Sequence, residues 1–214
     1  MQALTDELFL DWQKLLQQLG IESFTIQSTF AELVAAYSRC DRYYHTLEHI
    51  QAVFSTLDTL KSQAQDWQAV KFAAWLHDVV YEPQAKDNEA QSAEYARILL
   101  ADLSVPSDTI ATTVRLILNT QHHQAAATDI NSQILLDADL AILGAPPHQY
   151  QRYAQAIRQE YAWVPEIDYR RGRQQVLERF LQRPQIYYTP DMQAKLEPLA
   201  RDNLNRELQA LSAP

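Results

Sequence analysis

The sequence predicts an all-α protein. Glycine is scarce, at 3 in 214 residues, and apolar residues recur over long stretches at helical rather than alternating spacing. Hydrophobic residues make up 47% and charged residues 21%, the proportions of an ordinary globular chain. Length permits one or two domains. With no internal repeat, low-complexity tract or long linker, one helical domain over residues 1–214 is the economical reading.

The elements follow in order. Leu4, Leu8, Trp12, Leu15, Leu16 and Leu19 trace a first helix that Gly20 stops, and Phe30, Leu33, Val34 and Tyr37 a second. Leu47, Ile50, Val53, Phe54, Leu57 and Leu60 form one face of a third, with Thr46 as N-cap. Asp66 caps a fourth through Val70, Ala73, Ala74 and Leu76 to about Val80. Asp87 or Asn88 opens a fifth through Ala93 and Leu99, and Pro106-Ser107 a sixth through Ile110, Val114 and Ile117. After a polar break at 121–128, Ile134, Leu135, Ala138, Ala141 and Ile142 mark a buried helix ended by Gly144 and Pro146-Pro147. Tyr150, Tyr153, Ile157 and Tyr161 mark the next, and another runs from about Asp168 to Phe180. The last starts near Thr189-Pro190, with Pro198 as a kink or restart.

Composition excludes some functions. A net charge of −9 and a pI near 5.1 offer no general footprint for a nucleic-acid polymer, so any anionic substrate needs a local cation or a metal. The single cysteine, Cys40, forms no internal disulfide and fits a reducing compartment. Residues 1–20 carry Asp6, Glu7, Asp11 and Lys14 and lack a signal peptide's apolar core, and no later run approaches membrane-spanning length. A cytoplasmic protein without a membrane partner is expected.

Three groups of histidines and acids carry the chemistry. His45 and His49 lie four apart, so a shared helix would set them on one face. His77-Asp78 ends the apolar segment Phe72-Ala73-Ala74-Trp75-Leu76, where an uncompensated aspartate is costly to bury. Asp137 and Asp139 sit two apart in an apolar helix. Each has a plainer explanation: hydrogen-bonded histidines, a capping pair, a salt-bridged acid. Together they offer ligands from three apolar helical segments, which points to a metal site.

His49, His77-Asp78 and Asp139, in that order, resemble the HD superfamily of metal-dependent phosphohydrolases. The resemblance implies an HD/phosphodiesterase-like helical bundle in which these four residues hold one divalent metal. Tyr44-His45-Thr46-Leu47-Glu48-His49 also resembles the Tyr-His-Asn-x-x-His motif of the cyclic-nucleotide phosphodiesterases. By that match His45 is the general acid and His49 the ligand; Thr46 replaces the asparagine, so the phosphodiesterase substrate does not carry over. Ala138-Asp139-Leu140 is similar to that group's Ala-Asp-Leu, favouring Asp139 over Asp137. His77-Asp78-Val79-Val80-Tyr81, Asp87-Asn88-Glu89 with Ser92-Ala93, and Gly172-Arg173 extend the likeness, to bacterial-type phosphohydrolases, over about 43–208.

The implied chemistry is cleavage of a small phosphorylated molecule by metal-activated water, with Asp78 as both ligand and acceptor of the water's proton. Mixed nitrogen and oxygen ligands suit Mn, Fe, Co, Ni or Zn, with Mg admissible. Arg42, Lys86, Glu89, His122 and His123 are candidate substrate contacts, and Arg170, Arg171 and Arg173 form a basic cluster around Gly172. Close helix approach explains that glycine as well as phosphate access does. Two alternatives remain. His45-Thr46-Leu47-Glu48-His49 matches the H-x-x-E-H motif of zinc peptidases, with Glu48 as base. An HD-like scaffold could also bind a nucleotide or a partner without turnover.

Overall fold

The computed structural model describes residues 2–212. It is all-α: 73% helical, with ten α-helices and no strand among the described residues. They are α1 (Gln2–Gln17), α2 (Ser23–Tyr37), α3 (Leu47–Leu60), α4 (Trp67–Leu76), α5 (Asn88–Asp102), α6 (Ser107–Thr120), α7 (Ile130–Asp139), α8 (Pro147–Glu160), α9 (Glu166–Leu181) and α10 (Pro190–Ser212). The chain forms two compact units, Met1–Leu135 and Leu136–Pro214.

In the first unit the middle of the core is α4. Every residue from Ala69 to Leu76 is buried, so the helix is apolar nearly all round. Trp75 meets Trp12, Phe30 and Phe54 edge-on, with ring centroids 5.6, 6.1 and 5.1 Å away. The indole and phenol groups of this core find partners within it. The Trp12 indole donates to Thr29 Oγ1 (3.0 Å) and the Tyr37 hydroxyl to the Trp75 carbonyl (2.7 Å). Lys71, the one charged residue on α4, pairs with Asp11.

Capping sets where the site-bearing segments begin and end. Thr46 Oγ1 accepts from Glu48 N (3.3 Å) and Asp66 Oδ1 from Ala69 N (3.0 Å), as the sequence leads one to expect. The end of α4 differs from the expectation. The helix stops at Leu76, and residues 77–80 form turns although Val79 and Val80 continue the apolar run. Ser92 of α5 pins that segment: its hydroxyl donates to the Val80 carbonyl and accepts from the Val80 amide, both at 3.1 Å. Asn88 closes the following loop with a reciprocal pair to the Glu82 backbone, 2.9 Å each way.

In the second unit α10 packs on α9 and on a 3-10 turn at Leu140–Gly144. Gly144 is a site of close approach: a Cβ there would lie 2.6 Å from Leu196 Cβ. Asn203 Nδ2 donates to the carbonyls of Leu143 and Ala145, 2.8 Å each. Pro198 does not restart the helix; α10 is one helix across it. The carbonyl that loses its partner belongs to Ala194, on an exposed position that water can serve.

Candidate metal centre

His49 lies in the first turn of α3 with its side chain buried. His77 caps α4; its backbone amide donates to the Ala73 carbonyl at 2.9 Å. Its ring Nδ1 stands 3.0 Å from the Ala74 carbonyl. A carbonyl only accepts, so Nδ1 carries a proton and Nε2 is the atom turned to the cluster. This is the orientation that a backbone partner imposes on a metal-binding imidazole.

His77 Nε2 lies 3.1 Å from His49 Nε2 and 3.1 Å from Asp78 Oδ2. His49 Nε2 is 3.6 Å from the same oxygen. Neighbouring ligands bound about 2.1 Å from one ion are separated by about 3.0–3.4 Å, a range that holds the two 3.1 Å separations, while the third, 3.6 Å, lies just outside it. Two imidazole nitrogens and a carboxylate oxygen turned on one another are favoured by positive charge between them. Burial alone would raise the Asp78 pKa. The influence of His77, then of His45 and His49, outweighs it and holds the carboxyl well below the usual carboxylate range. A proton shared among the rings or a metal cation supplies that charge equally well.

Asp139, half-buried, is the last residue of α7, a helix whose first turns belong to the first unit. The resemblance carries Asp139 over as a fourth ligand; it belongs to the second unit, whereas His49, His77 and Asp78 belong to the first. Asp137 has other commitments. It is fully buried, and its carboxylate accepts from Tyr188 N, Thr189 N and Thr189 Oγ1, each at 2.7 Å. Burial pushes its pKa up against those bonds. Its oxygens tie down the segment leading into α10, which removes the reason to consider it a ligand.

His45 departs from the expectation. It lies in a bend before the Thr46 cap, outside α3, so it and His49 do not share a helix face. Its ring nevertheless comes 5.9 Å from the His49 ring and packs against Tyr81, with centroids 4.1 Å apart. Tyr44 stands beside both histidines, 5.0 Å from His45 and 4.9 Å from His49. Tyr44 and Tyr81 are thus aromatic neighbours of the site histidines, a role that nothing in their spacing signals. Asp78 also lies outside a helix, in the turn after α4.

The other candidates are dispersed. Arg42 is buried and its guanidinium is spent on backbone carbonyls, not presented to a substrate. Lys86 is exposed in the loop before α5, and Glu89 lies in the first turn of α5, where an acid complements the helix dipole. His122 and His123 fall in the turn after α6; His122 is exposed and His123 has φ 48°.

The arginine cluster has structural partners. Arg170 donates to the Leu211 carbonyl at the end of α10 (2.6 Å), Arg171 pairs with Asp168 (2.9 Å), and Arg173 forms a buried two-pronged pair with Glu207 (2.8 and 3.0 Å). A Cβ at Gly172 would meet nothing within 4 Å, so close helix approach does not explain that glycine.

No family model, curated protein or solved structure matches the chain.

Proposed function

We propose that the chain is a metal-dependent phosphohydrolase acting on a small phosphorylated molecule such as a nucleotide. The observation that carries this reading is the convergence of His49 Nε2, His77 Nε2 and Asp78 Oδ2 within 3.1–3.6 Å, with the His77 ring oriented by the Ala74 carbonyl. His49, His77, Asp78 and Asp139 would hold the ion, which when bound supplies an activated water and neutralises phosphate charge. The nitrogen and oxygen donors suit Mn, Fe, Co, Ni or Zn, with Mg admissible. In this reading Asp78, part-exposed, accepts a proton from an attacking water. His45 stands beside the ligand His49 without belonging to α3, the position of a group that donates a proton to a leaving oxygen.

A net charge of −9 favours a small substrate over a nucleic-acid polymer. No helix among the described residues is long and apolar enough to cross a membrane. Together with the lone, exposed Cys40, this suits the cytoplasmic setting that we propose. The peptidase alternative loses support. It needs His45 and His49 on one helix, whereas His45 precedes the cap, and Glu48, its base, is exposed. It also leaves His77 and Asp78 without a task.

Protein reconstituted with each divalent metal and assayed against nucleoside phosphates, cyclic nucleotides and sugar phosphates tests the reading. Metal-dependent release of phosphate or of the esterified alcohol from at least one class is expected. Stoichiometric metal binding with no turnover across that panel would overturn it in favour of a binding scaffold.

A further inference from the structure

We propose that Arg42 is a positioning residue that fixes the proton donor His45 against the Asp78 turn; the proposal rests on the phosphohydrolase reading. Arg42 Nη1 donates both to the His45 carbonyl (3.2 Å) and to the Asp78 carbonyl (2.7 Å), and Nη2 donates to the Val79 carbonyl (2.9 Å). One guanidinium therefore joins the bend that carries His45 to the turn that carries Asp78, segments 36 residues apart in sequence between Arg42 and Asp78. The fork is itself held between rings, with Cζ 5.0 Å from the Tyr37 centroid and 5.6 Å from that of Tyr81. Tyr81 also packs on the His45 ring, 4.1 Å between centroids. The clamp thus acts on the His45 backbone directly and on its ring through Tyr81.

A plain core arginine would be expected to satisfy all its donors. Arg42 Nε is buried with no hydrogen-bond partner, although the residue is only 6% exposed. An orphaned buried donor costs about 1–3 kcal/mol. The side chain is held in this place by the three carbonyls it bridges, at the expense of its own complete satisfaction. Lysine keeps the charge but cannot span three carbonyls with a rigid planar fork.

The test compares wild type, Arg42→Lys and His45→Ala on two esters. Phenyl phosphate needs a proton on its departing oxygen, and dinitrophenyl phosphate does not. Arg42→Lys is expected to keep wild-type metal stoichiometry, to lose about 10–100-fold in kcat on phenyl phosphate, and to lose less than about threefold on the dinitrophenyl ester. This is the selectivity expected of His45→Ala in milder form. Equal losses on both esters, or no loss on either, would overturn the clamp while leaving the phosphohydrolase reading intact. Wild type that cleaves neither ester and no member of the phosphate panel would overturn both. If Arg42→Lys does not fold, Tyr81→Leu, which removes the ring shared by Arg42 and His45, carries the same test: a leaving-group-selective loss is expected, and an equal loss contradicts it.

Discussion

Two regions of this molecule bury charge, and they handle it in opposite ways. In the Leu136–Pro214 unit two buried charges, Asp137 and Arg173, have partners of their own. Asp137 takes three donors from Tyr188 and Thr189, and Glu207 takes both prongs of Arg173 and the Tyr150 hydroxyl. In the Met1–Leu135 unit, His49, His77 and Asp78 turn two ring nitrogens and a carboxylate oxygen on one another. The first arrangement is complete as it stands. The second brings three groups that can each bind a cation to within 3.1–3.6 Å of one another. A buried acid or histidine is therefore weak information about function until the groups around it are identified.

That contrast can be broken by mutation, and the expected effects differ in size and kind. Asp78→Ala should abolish stoichiometric metal binding and lower hydrolysis by orders of magnitude, measured by elemental analysis and phosphate release. Retained metal would place Asp78 with the structural acids. Arg173→Met, which strands Glu207, should cost about 3–5 kcal/mol in denaturant unfolding and leave metal content unchanged. Asp137→Asn puts an amide where two backbone amides and a hydroxyl donate, and should cost about 1–3 kcal/mol, again with metal retained. A metal loss without a stability loss in that variant would move Asp137 into the site. At the small end, Gly172→Ala should raise stability by about 0.5–1 kcal/mol, because the added methyl meets open space in an exposed helical position. A drop in activity from that change would reveal a substrate role for the glycine that packing does not show.

Much of the helical order was legible because it depends on local signals. The caps Thr46 and Asp66 and the apolar faces of α3 and α4 follow from side-chain type and spacing alone. The end of α4 was not legible. Val79 and Val80 continue an apolar run, whereas the helix is stopped by His77 and by contacts from Ser92, twelve residues further on. The placement of His45 was half legible: a cap at Thr46 already puts the preceding residue outside the helix, yet four-residue spacing suggests a shared face. The division between Asp137 and Asp139 depends on Tyr188 and Thr189, about fifty residues away, and spacing cannot foresee such partners. Arg42 reads as a candidate substrate contact because its three acceptors are backbone carbonyls, which any sequence could supply.

The proposed metal site stands on His49, His77 and Asp78 as ligands, with Asp139 carried over from the resemblance as the fourth. Metal stoichiometry of the purified wild type beside His49→Ala, His77→Ala and Asp139→Ala, each checked for helical content by circular dichroism, tests it most directly. About one divalent ion per chain is expected in the wild type, with substoichiometric metal in all three variants at unchanged helicity. Equal metal in all four proteins would contradict the account.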